Sequence, residues 1–134
     1  MDQCLTEEAR RSQASRRLGR HSVLEQEVNR GDVWQIDLGG RSGRRPALVL
    51  TRQAVIPHLN KVTVAEITSM GKGYPTEVAI GQKANLPRES YVQLDNIQTI
   101  AKDRLVKYVG VLDPATMKTI GRRLVLALGL EDCL

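Results

Sequence analysis

From Val33 onward the chain is a succession of short β-type runs separated by Gly, Pro and Asn, and this rhythm restricts the fold more than any other feature. Val33 to Leu38 carries Val and Trp with Gln35 and Asp37 interspersed, and Ala47 to Thr51 opens with a continuous apolar run suited to a strand buried on both faces. Val62 to Thr68 is β-branched and alternating, so Glu66 faces opposite to Ala65 and Ile67. Thr76 to Ile80, Tyr91 to Leu94 with a continuation through Ile97 to Ala101, and Lys107 to Leu112 follow at similar spacing. Many short strands with turn residues between them point to a small, strongly bent sheet or barrel.

One helix closes the sequence. Asp113 is an N-cap candidate and Pro114 takes the first helical position, where its missing N–H costs nothing. Met117, Ile120, Leu124 and Leu128 recur at three- and four-residue intervals, and Gly129 supplies the stop. The stripe is expected to lie on the sheet, with Lys118, Arg122 and Arg123 on a solvated face. The fold class is therefore mainly β with a C-terminal α-helix.

A chain of 134 residues suits one core better than two. With three Tyr, one Trp and no Phe, that core must be built from Leu, Val, Ile and Ala. Residues 1–28 are different in character, rich in Arg, Glu, Ser and Gln, with Leu18, Val23 and Leu24 too sparse for a committed helical face. They read as a flexible or frayed N-terminal extension to a domain over 29–134. No apolar run approaches a membrane span, and charges stand where a signal peptide needs its hydrophobic segment, so the expected compartment is the cytoplasm.

Residues 1–29 hold five Arg and five acidic residues, which leaves 15 Lys/Arg and 10 Asp/Glu of the chain's 20 and 15 for residues 30–134. The whole net charge of +5 thus belongs to the domain. A basic globular surface favours an anionic partner, nucleic acid above all, although an excess this modest is also compatible with ordinary solubilising charge. Cys4 and Cys133 sit near opposite ends in no metal-ligand spacing, and His21 and His58 have no Cys or second His beside them. A disulfide framework, a metal site and a paired-histidine ribonuclease site are accordingly not expected.

Four pieces occur in a telling order. They are Arg30-Gly31-Asp32-Val33-Trp34; Gly43-Arg44-Arg45-Pro46 followed by Ala47-Leu48-Val49-Leu50; Val64-Ala65-Glu66-Ile67-Thr68-Ser69 with Lys72-Gly73-Tyr74-Pro75 and Glu77-Val78; and Leu94-Asp95-Asn96-Ile97-Gln98-Thr99-Ile100 with Lys102-Asp103-Arg104-Leu105 and Gly110. The ordered set, spanning Arg30 to about Leu128, resembles the MazF/PemK toxins of type II toxin–antitoxin pairs. The resemblance implies a small SH3-like (CcdB/MazF-like) barrel with a C-terminal helix, a homodimer, and a cognate antitoxin that is small, acidic and partly disordered. It also implies a sequence-specific endoribonuclease that needs no metal or cofactor. Single-stranded RNA would be cut by attack of a ribose 2′-OH on the adjacent phosphorus, leaving a cyclic phosphate and a 5′-OH.

By position, the family's catalytic arginine falls on Arg45 and its catalytic Ser/Thr on Thr68. A pentavalent phosphorane carries extra negative charge; a guanidinium can donate two hydrogen bonds to its oxygens, and a hydroxyl donor can complete the clamp. Arginine is a poor acid or base, so Arg45 is assigned to charge stabilisation and orientation, and proton transfer has no assigned group. Pro46 biases the backbone after Arg45 toward an extended conformation.

Family members commonly carry a longer loop before this arginine, with an acidic residue in it. Here the connection is Gly39 to Arg44, the acid is absent, and Arg41, Ser42 and Arg44 offer phosphate contacts instead. Ser69, Lys72 and Tyr74 form a second candidate RNA surface, offering a hydroxyl, a cation and a stacking face. Asp95 and Asn96 match family positions near the bound strand, and as Asx residues they are also turn formers.

Two other functions fit the same outline. One is a non-catalytic toxin like the CcdB proteins that poison DNA gyrase, although those chains end in Trp-Gly-Ile and this one ends in Asp132-Cys133-Leu134. The other is an SH3-like nucleic-acid-binding module, which would not call for Arg45 and Thr68 together.

Overall fold

The computed structural model describes residues 27–134, so the expectations for Cys4, Leu18, His21, Val23 and Leu24 lie outside the described residues. Each run with β character forms a strand: β1 (Asp32–Asp37), β2 (Arg44–Val49), β3 (Lys61–Thr68), β4 (Glu77–Gly81), β5 (Ser90–Ala101) and β6 (Leu105–Val111). The helix α1 spans Pro114–Ala127. All pairings are antiparallel and the strand order is β4-β5-β3-β2-β1-β6. The edge strands β4 and β6 are not paired with each other, so the sheet is open.

Both faces of the sheet are apolar. Leu48 and Leu50 join Val33, Ala65, Ile67 and Ile120 in one cluster, while Ala47 and Val49 join Trp34, Ile36, Val62 and Val64 in the other. This alternation explains the continuous run in β2, a central strand whose side chains must be apolar in both directions. The second cluster also takes in Val28, which is 8% exposed, so the residue before Asn29 packs with the domain. Trp34 meets Tyr108 edge to face at 5.7 Å between ring centroids.

The helix is capped at both ends. The Asp113 carboxylate accepts the Thr116 amide at 3.1 Å and its hydroxyl at 2.6 Å. These bonds, the Thr116 hydroxyl foremost, hold the Asp113 carboxyl well below the usual carboxylate range. At the other end Gly129 adopts φ of 66°, Leu130 N–H donates to Val125 O and Gly129 N–H to Leu126 O, which is the Schellman arrangement. Of the expected stripe only Ile120 is fully buried; Met117 and Leu124 are partly covered. Leu128 is half exposed, because it follows the helix's last residue. Arg123 does not simply face solvent, since its Nη1 donates to Pro75 O at 2.7 Å.

The connection between β4 and β5 crosses to the far edge of the sheet. Ala84 and Asn85 both have positive φ, and Asn85 Nδ2 donates to Val109 O at 2.9 Å. Gly110 on β6 lies so close to Ala84 that a Cβ there would collide with the Ala84 backbone. A side-chain bond and a glycine contact therefore join the two edges where no strand ladder does.

Candidate active site

The β2–β3 ladder runs Val49↔Val64, Leu48↔Ala65 and Ala47↔Glu66, and ends there. Pro46 has no N–H with which to extend it, although β2 continues beside β1 as far as Arg44. Carried on by two positions, the same register would set Arg45 across from Thr68. Beyond the ladder the two strands border a cleft of about 410 Å³. Arg44, Arg45 and Pro46 line one side and Glu66 to Ser69 the other, with Leu86, Pro87 and Arg88 of the β4–β5 connection as a further wall.

Alternation puts Arg45, Glu66 and Thr68 on one face of the sheet. Arg45 Nη1 donates to Glu66 Oε1 at 2.9 Å, and Arg45 Nη2 donates to Ser42 O at 3.1 Å. The other Glu66 oxygen accepts Gln98 Nε2 at 2.8 Å. The Thr68 hydroxyl oxygen accepts the Met70 amide at 3.0 Å.

A smaller hollow of about 150 Å³ adjoins the cleft and shares Gln93 with it. Lys72, Tyr74, Thr76, Glu77, Asp95 and Asn96 line the rest. Glu77 Oε1 accepts the amides of Lys72 and Gly73 at 2.8 and 3.0 Å. The Lys72 amide above all holds the Glu77 carboxyl below its ordinary value, against the opposing effect of desolvation. Thr76 Oγ1 donates to Asp95 Oδ2 at 2.5 Å. The β3–β5 register jumps between Ala65↔Ile97 and Ile67↔Val92, so the extra residues of β5 around Asp95 and Asn96 form a bulge opposite Glu66.

This cleft sits on a chain whose residues 29–128 match the sequence profile of the PemK-like, MazF-like toxins of type II toxin–antitoxin systems. The chain belongs to the PemK/MazF toxin family. Endoribonuclease MazF1 of Mycobacterium bovis is 40% identical to it over 101 residues, 75% of this chain and 92% of the relative. A solved mycobacterial endoribonuclease in complex with its cognate antitoxin superposes with a TM-score of 0.70 at 38% identity, covering 78% of this chain and 97% of that one. The Mycobacterium tuberculosis toxin MazF-mt6 gives a TM-score of 0.69 at 34% identity, over 75% and 98% of the two chains.

In this PemK/MazF toxin the residues singled out by sequence divide into two groups. Arg44, Arg45, Thr68 and Ser69 line the larger cleft; Lys72, Tyr74, Asp95 and Asn96 line the smaller. Arg41 and Ser42 are exposed and line neither, though the Ser42 carbonyl anchors Arg45. Arg44 pairs with Asp37 at 3.5 Å with side chains 66% and 38% exposed, an interaction worth at most about 1 kcal/mol. Arg88, Gln93, Glu66 and Gln98 were not anticipated as site residues. For Glu66 the signal was a charge inside an alternating strand, and for Arg88 a cation in the Leu86-Pro87-Arg88 turn. Among the described residues no group of three or more His, Cys, Asp or Glu could hold a metal ion, and no helix is long and apolar enough to cross a membrane.

Proposed function

We propose that this chain is a sequence-specific, metal-independent endoribonuclease toxin that cuts single-stranded RNA by 2′-OH attack, giving a 2′,3′-cyclic phosphate and a 5′-OH. The observation that carries the reading is the meeting of a guanidinium, Arg45, and a hydroxyl, Thr68, on one face of one cleft. Arg45 would donate to the non-bridging oxygens as negative charge builds on phosphorus, and Thr68 would add a neutral donor. The charge that a metal would otherwise supply comes in this scheme from the guanidinium. The relatives' names support the activity, since MazF1 of Mycobacterium bovis is called an endoribonuclease.

The smaller hollow would hold a neighbouring nucleotide, with Tyr74 as a stacking face, Lys72 for phosphate, and Asp95 and Asn96 toward a base edge. Arg41, Ser42, Arg44 and Ser69 would line the approach of the backbone. A cognate antitoxin as partner follows from the neighbour solved in complex with one. A homodimer acting in the cytoplasm, with residues 29–134 as the toxin domain and 1–28 as an extension whose Val28 packs into the domain's core, completes the proposal; the profile match beginning at residue 29 supports that division.

The test is incubation of purified full-length protein with a long transcript in excess EDTA, followed by sequencing of the released 5′-OH ends. Cleavage at a recurring motif is the expected result. Activity that vanishes in EDTA and returns with a divalent ion would overturn the mechanism. Binding to gyrase without any RNA cleavage would move the protein to the CcdB-like class.

A further inference from the structure

Glu66 has no place in the clamp of Arg45 and Thr68, yet it is held in the cleft by both of its carboxylate oxygens. Its side chain is 14% exposed, against 44% for Arg45. Both carboxylate oxygens are engaged, one by Arg45 Nη1 and the other by Gln98 Nε2. Gln98 belongs to the far half of β5, beyond the bulge, where its partner on β3 is Val64. The acid therefore ties an outer, solvent-reaching guanidinium to the interior of the sheet.

We propose that Glu66 is the positioning residue of this site, fixing the plane of the Arg45 guanidinium so that its remaining donors face the reacting phosphate. The role rests on the endoribonuclease reading above. Arg45 has five N–H donors; one on Nη1 goes to Glu66 and one on Nη2 to the Ser42 carbonyl. Holding both terminal nitrogens stops the guanidinium from turning about its stem, and the other N–H groups keep one direction. Without the carboxylate, Arg45 would be anchored only through the Ser42 carbonyl, in a connection containing Gly39, Gly40 and Gly43.

The carboxylate also has an electrostatic effect of opposite sign. A negative charge 2.9 Å from the guanidinium weakens the pull of Arg45 on any phosphate, in the ground state as in the transition state. Removing the charge but keeping the shape should thus leave RNA binding unchanged or tighter while slowing the chemical step. A residue needed only for folding would not split the two in this way.

The experiment compares wild type, Glu66→Gln, Gln98→Ala and Arg45→Ala as full-length proteins. Single-turnover cleavage is measured on an RNA oligonucleotide carrying a mapped cut site, and binding on its 2′-deoxy analogue. For Glu66→Gln the cleavage rate should fall between roughly ten- and a hundredfold, the scale of a small misplacement of a reacting group, with affinity for the analogue equal or higher. Gln98→Ala, which loosens Glu66 without removing its charge, should slow cleavage less and leave affinity unchanged. It also carries the test should Glu66→Gln fail to fold. Wild-type rates in both variants overturn the role, as does loss of binding in step with a lowered melting temperature. An acidic limb of the rate profile that disappears in Glu66→Gln would make Glu66 a proton acceptor and overturn the positioning role. If wild type cuts RNA and Arg45→Ala does too, the assignment of Arg45 fails and Glu66 loses its object. If wild type does not cut at all, the endoribonuclease reading itself falls, and this role with it.

Discussion

The Thr68 hydroxyl oxygen accepts the Met70 amide at 3.0 Å, which uses an acceptor position and leaves the hydroxyl proton to be donated. Thr68→Val keeps the β-branched shape and should fold, because the exposed Met70 amide can turn to water. Cleavage should slow a hundredfold or more, in line with the roughly 2.7–4 kcal/mol lost when one donor aimed at an oxyanion is removed. Single-turnover rates check this, and a Val variant within a few-fold of wild type would leave Thr68 a structural strand-end residue.

Arg45→Ala should abolish cleavage in EDTA and in magnesium alike. Arg45→Lys should remain impaired by roughly a hundredfold, since an ammonium keeps the charge but not the planar pair of donors. It would also meet Glu66 and Ser42 with a different geometry. Near wild-type rates in the Lys variant would show that charge alone suffices.

The cap of α1 gives a pH-dependent expectation. The folded-state pKa of Asp113 is depressed, so its contribution to stability is complete above the unfolded value of about 4 and is lost as pH falls below it toward the folded value. The melting temperature of Asp113→Ala should therefore lie below wild type at neutral pH, and the gap should narrow below about pH 4. Thermal melts across that range decide the matter; a gap independent of pH would mean that the carboxylate charge has no part in it.

Removing the N-terminal extension should spare activity only if Val28 is kept. A chain beginning at Glu27 should melt and cut as the full-length protein does. One beginning at Asn29 loses the Val28 side chain from the core cluster that holds Trp34 and Ile36, at a cost of about 1.5 kcal/mol or more. An altered cleavage pattern in the longer version would show that the arginines of the extension reach RNA.

Strand content was legible because alternation and turn residues act locally: β2 was readable as doubly buried from four consecutive apolar residues, and α1 from Asp113, Pro114 and Gly129. What was not legible depends on register. That Glu66 faces away from Ala65 and Ile67 follows from the period of a strand, but that it meets Arg45 and Gln98 depends on how β3 lies against β2 and β5. The bulge around Asp95 and Asn96 was hidden for the same reason, since it exists only as a mismatch between two strands. Val28 was placed in the extension because one apolar residue after a polar stretch carries no pattern of its own.

Gly110 and Ala84 meet where the open sheet is drawn together, and the chain that makes this contact runs on directly to Leu86, Pro87 and Arg88 in the cleft wall. The spacing of that wall from Arg45 and Thr68 is thereby referred to the opposite margin of the sheet, much as a drawstring sets an opening from a distance. A methyl group at Gly110 would displace the string and with it the width of the cleft.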